Sequence, residues 1–148
     1  MKNPQDPGYA SRVRESFDKQ KFMTAIGATL EAVTPGEVAI RLPFRADLTQ
    51  QHGFLHAGAI ASVADSACGY AALSLMPPGA AVLSIEFKIN MLSPAQGDAV
   101  IARGEVIRAG RKIMVCRADV FSVLGKEEKL VAAMQGTMMV AESAGLAD

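Results

Sequence analysis

Between Asp47 and Glu86 the chain carries one formally charged residue, Asp65, set in the run Gln50–Met76, QQHGFLHAGAIASVADSACGYAALSLM. From Ala57 onward this run is dominated by Ala, Ile, Val, Leu, Gly and Ser, the composition of a buried helix. A carboxylate in such surroundings loses hydration, which favours its neutral form unless a partner or a cleft takes the charge. Such an acid is paired, neutralised, or faces a cleft where chemistry uses it. His56, Ala57 and Gly58 stand at the predicted helix entrance, where the first N–H groups have no partner within the helix and the dipole is positive. A carbonyl becoming a tetrahedral oxyanion could be held there by the N–H of Ala57 or Gly58, and small residues let a substrate come close to the backbone.

Asp65 lies nine residues after His56, about 13 Å of helical rise and about two and a half turns, so the two side chains face opposite ways. Within one chain they cannot meet. If both act on one substrate, the helix entrance comes from one subunit and Asp65 from another, and a symmetric dimer then holds two such sites.

Simpler readings of the same residues stand beside this one. Asp65 can be tied by Ser62 or by polar groups of a neighbouring strand, and His56 can serve as a capping residue. His52 and His56 are four apart, but Gly53 lies between them in a predicted loop and no cysteine or acid completes a set, so no metal site is expected. Ser84 opens the polar face of a later strand and could hold a water near the acid, or be an exposed serine. Arg108, Arg111 and Lys112 flank Ala109-Gly110 and form a local cationic group that could meet phosphates or be a solvated hairpin end. No GxSxG, P-loop or GxGxxG sequence is present, and the corresponding chemistries lack their motif.

The elements that must position these groups follow from patterning. Residues 1–9 read as a flexible arm and 10–148 as one domain. From Tyr9 or Ala10 to about Ile26, Val13, Phe17, the stem of Lys21, Phe22, Ala25 and Ile26 recur at three- and four-residue steps, predicting one amphipathic covering helix. Ala28–Thr34 and Glu37–Pro43 form a hairpin about Pro35-Gly36. The central helix runs from Ala57 to Met76 and is stopped by Pro77-Pro78-Gly79. In Val82–Leu92, Leu83, Ile85, Phe87, Ile89 and Met91 alternate with polar residues, predicting one core face. Asp98–Arg108, Lys112–Val123 and Lys129–Val140 complete an antiparallel sheet, joined by hairpin-type connections. The outcome is an α+β domain, one sheet around one apolar helix.

The chain has 148 residues, half of them hydrophobic, with fifteen basic against fifteen acidic residues. No global field draws in nucleic acid or an anionic membrane. Neither a secretory leader nor a bilayer-spanning run is read in the sequence, and Cys68 and Cys116 lack CxxC spacing, which fits a cytoplasmic setting.

With these residues in view, the chain resembles the hotdog-fold acyl-CoA thioesterases, in particular the group typified by the phenylacetate-pathway thioesterase. The resemblance covers about Gly27 to Val140. Its most specific part is Gly53-Phe54-Leu55-His56-Ala57-Gly58 with Asp65, similar to a G-x-x-H-G-G pattern followed by an aspartate nine residues after the histidine. Asn90 to Ala95 and Gly110-Arg111 also look like family features. The resemblance implies an antiparallel sheet wrapped around a helix, dimers pairing into tetramers, and hydrolysis of an acyl-CoA or aryl-CoA without a cofactor. It implies Asp65 as base or nucleophile, the Ala57 N–H polarising the thioester carbonyl, His56 orienting groups near the sulfur, and Ser84 positioning water. Gln50 stands where the family commonly has asparagine, and Ala57 where it has glycine. A non-catalytic acyl-CoA or small aromatic ligand-binding protein of the same fold is the alternative. A dehydratase lacks its proline-rich histidine loop here.

Overall fold

The computed structural model describes residues 2–142, 145 and 146. Two short helices, α1 (Tyr9–Lys19) and α2 (Lys21–Ile26), precede the hairpin β1 (Thr29–Thr34) and β2 (Glu37–Pro43). The central helix α3 (Ala57–Leu73) follows, then β3 (Ala81–Met91), β4 (Ala99–Ala109), β5 (Ile113–Leu124) and β6 (Glu127–Ala141). The six strands form one sheet in the order β1-β2-β4-β5-β6-β3, and every neighbouring pair is antiparallel. This is the α+β hotdog arrangement expected from the resemblance.

The sheet wraps α3, which packs against β2, β3, β4, β5 and β6. Ile60, Val63, Ala64, Ala67 and the stretch Cys68–Leu73 are all buried, as a helix apolar on nearly every side requires. The closest approach is at Gly104 of β4, where an added Cβ would lie 2.4 Å from the Ala67 carbonyl carbon. Glycine there lets the helix backbone rest directly on the strand.

Three expectations are corrected. The covering helix breaks at Gln20, whose ψ of 92° is extended rather than helical, so two helices replace one. Met23 is buried in the second piece while Phe22 and Ala25 are exposed, because the break changes which face of α2 meets the core. The central helix ends at Leu73, three residues before the predicted Met76, and its cap Ser74 donates its hydroxyl to the Ala71 carbonyl at 2.6 Å and accepts the Gly36 N–H at 2.7 Å.

The third correction concerns β3. A register shift between Ser84 and Glu86 interrupts the alternation. Ser84 pairs with the buried Met138, and Phe87, Ile89 and Met91 pair with Gly136, Met134 and Ala132, so all four lie on the helix side of the sheet. Leu83 instead shares the outer face with Met139 and Ile113. β3 is a sheet edge, and its apolar residues are not covered within the chain: Ile85 is 51% and Phe87 44% exposed.

The N-terminal stretch read as an arm makes specific contacts. Gln5 donates to the Leu75 carbonyl at 3.1 Å, and Asp6 lies 3.4 Å from Arg12. Arg12 then donates to the carbonyls of Leu73, Met76 and Pro77, at 3.0, 2.8 and 2.6 Å. A guanidinium at the negative end of α3 satisfies carbonyls left over by the helix and pins α1 to it.

Candidate active site

Asp65 sits on the face of α3 turned toward β3, and the Ser84 hydroxyl donates to its Oδ1 at 2.8 Å. The serine reaches the acid because the bulge places it on the helix side. Ser62, the other possible partner, donates to the Gly58 carbonyl one turn back at 2.6 Å. Burial raises the Asp65 pKa above the ordinary carboxylate range, and the Ser84 hydrogen bond offsets part of that rise. The acid opens into a hollow of about 130 Å³ whose lining includes Ser16, Gln20, Ser66, Tyr70 and Val82. Burial without a countercharge, together with access, is what a carboxylate base requires.

The helix entrance is built separately. His56 is the N-cap of α3, and its Nδ1 accepts the Gly58 N–H at 2.8 Å. Accepting at Nδ1 leaves the proton of the neutral ring on Nε2, available as a donor. Gly58 is confined by this cap, since a Cβ there would lie 3.0 Å from Nδ1. Of the two N–H groups considered for an oxyanion, that of Gly58 is therefore occupied, and that of Ala57, first in the helix, has no intrahelical partner.

Ala57 opens on a second hollow of about 360 Å³, shared with Gln50, Phe54, Ile60, Met91 and Leu92. The loop before it is fixed by backbone bonds from Gln50 N to the Phe54 carbonyl (2.9 Å) and from Gly53 N to the Gln50 carbonyl (3.0 Å). Gln50 Oε1 accepts the His52 N–H, which leaves its amide N–H groups for the hollow. His52 is exposed with its ring 3.3 Å from the Gln51 amide, and Gly53 takes a positive φ in the turn.

The structure thus brings Asp65 and Ser84 together at one hollow and Ala57 and Gln50 together at another, with His56 beside Ala57 at the helix entrance. Arg108, Arg111 and Lys112 are exposed, and among the described residues none of them forms an ion pair. Their hairpin lies at the Asp65 end of the sheet, because Met114 pairs with Met138 and Met138 with Ser84. A larger hollow of about 450 Å³ lies on the sheet near Arg103, Arg117 and Phe121. Its cations are already committed: Arg103 grips Glu128 through two 2.7 Å bonds above the Phe121 ring, and Arg117 pairs with Asp119.

Sequence reasoning missed Ser16, Gln20, Ser66 and Tyr70. Ser66 and Tyr70 are four apart on a helix and next to Asp65 and Gly69, also four apart, so that spacing could have shown a shared face. The reading of the N-terminal helix as cover alone is also corrected, since it supplies Ser16 and Gln20 to the Asp65 hollow.

A model of the thioesterase superfamily matches residues 52–129, which contain His56, Ala57, Asp65 and Ser84. The chain belongs to the thioesterase superfamily. This thioesterase-superfamily chain is 46% identical to a thioesterase family protein of Silicibacter pomeroyi, with a TM-score of 0.90 over 92% of this chain and 100% of that one. A variant of the phenylacetic acid degradation protein of Thermus thermophilus is similar at 30% identity and a TM-score of 0.71, over 81% of this chain and 98% of that one. A 1,4-dihydroxy-2-naphthoyl-CoA hydrolase of Listeria monocytogenes is 26% identical over 115 residues, 78% of this chain and 91% of that protein. These likenesses agree with the group that the motif pointed to, and they support ester or thioester hydrolysis as the general chemistry.

Proposed function

We propose that this protein hydrolyses an acyl-CoA or aryl-CoA thioester to the free acid and coenzyme A, at a site shared by two subunits. The observation that supports this reading is the distance between the two candidate groups. A base with a hydroxyl partner lies about 12 Å along α3 from the Ala57 N–H, too far for one carbonyl to touch both. The uncovered edge of β3 supplies the means of joining them. An antiparallel pairing of two β3 strands about a two-fold axis near the middle of the strand brings the Ser84 end of each alongside the Met91 end of the other. The Asp65 hollow then faces the partner's helix entrance, and the exposed apolar residues of β3 are covered.

In this reading the thioester carbonyl accepts the Ala57 N–H, with the Gln50 amide and the His56 Nε2–H directed at the oxygen and sulfur. Ser84 and Asp65 hold a water, and the carboxylate takes its proton as the oxygen attacks. The tetrahedral intermediate collapses with release of the thiolate, which is protonated on departure. The exposed cations Arg108, Arg111 and Lys112 suit the phosphates of coenzyme A. Dimers paired into tetramers and a cytoplasmic location complete the proposal. Cys68 and Cys116 are buried free thiols, as a reducing compartment permits, and no helix among the described residues is long and apolar enough to cross a membrane.

The test is free-thiol release from aliphatic and aromatic CoA esters by wild type and Asp65→Asn. Wild-type turnover and a loss of about 10²–10⁴-fold in the variant are expected. Binding without turnover by wild type would instead make this a ligand-binding protein. Enzyme in excess in heavy-oxygen water should place label in the acid from the first turnover, whereas a covalent aspartyl route in which water attacks the aspartyl carbonyl would leave the first label in Asp65 and give unlabelled acid.

A further inference from the structure

Met138 is fully buried on the helix side of β6, opposite Ser84 on β3 and Met114 on β5. Its Sδ is 3.4 Å from the Ser84 hydroxyl oxygen, the same oxygen that stands 2.8 Å from Asp65 Oδ1. Gly136, on the same face of β6, gives the thioether room, since an added Cβ there would come within 3.2 Å of the Met138 methyl. A glycine inside a strand packs nothing of its own, and here it keeps space for a longer side chain. The serine hydrogen therefore has two acceptors within reach, a carboxylate and a sulfur.

We propose that Met138 is a positioning residue for the hydrolysis, its sulfur accepting the Ser84 hydrogen while Asp65 is protonated. A hydroxyl has one hydrogen and two lone pairs, and a thioether accepts weakly and donates nothing. While Asp65 is ionised, the charged acceptor wins and Ser84 donates to Oδ1. A proton taken from the attacking water onto Oδ1 reverses that bond. Oδ1 then donates to the Ser84 oxygen, and the serine hydrogen, which stays on its own oxygen, turns to Met138 Sδ. An alkyl side chain of the same size would leave that hydrogen without a protein partner. The sulfur thus favours the protonated acid, in the same direction as burial. Among the described residues, the titratable side chains near Asp65 are the Cys68 thiol on α3, pushed up by burial, and the Tyr70 phenol. The N-terminal segment and β3 bring the uncharged Ser16, Gln20, Val82 and Ser84 to the hollow, and β6 brings Met138. All of these except Met138 itself are shared by wild type and a Met138 variant, so a difference between the two reports the sulfur.

The proposal rests on the hydrolase reading only for Asp65 as the group that takes the proton, so its test follows the Asp65 titration in the free protein. The Asp65 carboxyl carbon is followed by NMR against pH in carbon-13-labelled wild type, Met138→Leu, Ser84→Ala and the double variant. Leucine keeps the volume and removes the sulfur. Met138→Leu should lower the Asp65 pKa by about half a pH unit and move the acid limb of kcat/KM the same way. In the Ser84→Ala background the same substitution should shift nothing, because the hydrogen that the sulfur accepts is gone. Loosened packing around Ser84 would instead raise the pKa, as loss of the serine does, so the sign separates positioning from bulk. If Met138→Leu does not fold, norleucine in place of methionine exchanges sulfur for a methylene and makes the same comparison. A pKa that rises or stays in place, or a fall that persists without Ser84, would overturn the assignment. The expected shift in a protein that turns over no CoA ester would overturn the hydrolase reading and leave the sulfur's part in the Asp65 titration standing.

Discussion

The Ser84 hydroxyl on β3 and the Asp65 carboxylate on α3 are joined by a 2.8 Å hydrogen bond that crosses from sheet to helix. It exists because the strand slips by one residue just after Ser84. The bond favours the ionised acid, while burial, the larger effect, favours the neutral one.

Ser84→Ala removes the opposing influence, so the Asp65 pKa should rise further. The acid limb of a kcat/KM profile is then displaced to higher pH, and activity at neutral pH falls by about tenfold through the lost water contact. The pH–rate profile of the variant against wild type checks both. An unmoved limb would mean that another group controls it.

Asp65→Asn should unfold at a higher temperature than wild type at pH 7. A carboxyl whose pKa is higher in the folded chain binds its proton more readily when folded. Stability therefore falls as pH rises through the unfolded value, and the loss is complete above the folded one. Asparagine carries no charge to desolvate and still accepts from Ser84. The advantage should shrink as pH is lowered below the ordinary carboxylate range, which melting curves across pH will show.

Gly58→Ala forces a methyl to 3.0 Å from His56 Nδ1. The ring must move, with a loss of about 1 kcal/mol of stability, the usual worth of an N-cap, and a fall in kcat as Nε2 leaves its direction. His56→Asn separates the two roles, since asparagine caps well but lacks the Nε2 donor. It should keep the melting temperature within a few degrees while losing activity.

Much of the fold was legible because its signals are local. Pro35-Gly36 and Gly125 mark the hairpins, and the apolar run from Ala57 reads as a buried helix whatever surrounds it. Asp65 and the His56 entrance stood out for the same reason, one as a charge without company and the other as a helix start. The rest depended on partners distant in sequence. Alternation in Leu83–Met91 reads the same with or without a bulge, and only pairing with Met138 and Thr137 on β6 shows that Ser84 turns inward. The pattern also could not show that Phe87 and Met91 lie on an edge, where the chain itself leaves them uncovered. Gln20 was hidden because Phe22 and Ala25 extend the apolar spacing past it, although both are exposed in α2.

The division of the site between subunits is tested most directly by complementation. His56→Ala and Asp65→Ala chains, each inactive alone, are unfolded together in equal amounts and refolded. Half of the randomly assembled dimers then contain both kinds of chain, each with one intact site and one doubly altered, so about a quarter of wild-type activity should return. Activity no greater than the sum of the two separate variants, with mixed dimers shown to be present, would mean that each site lies within a single chain.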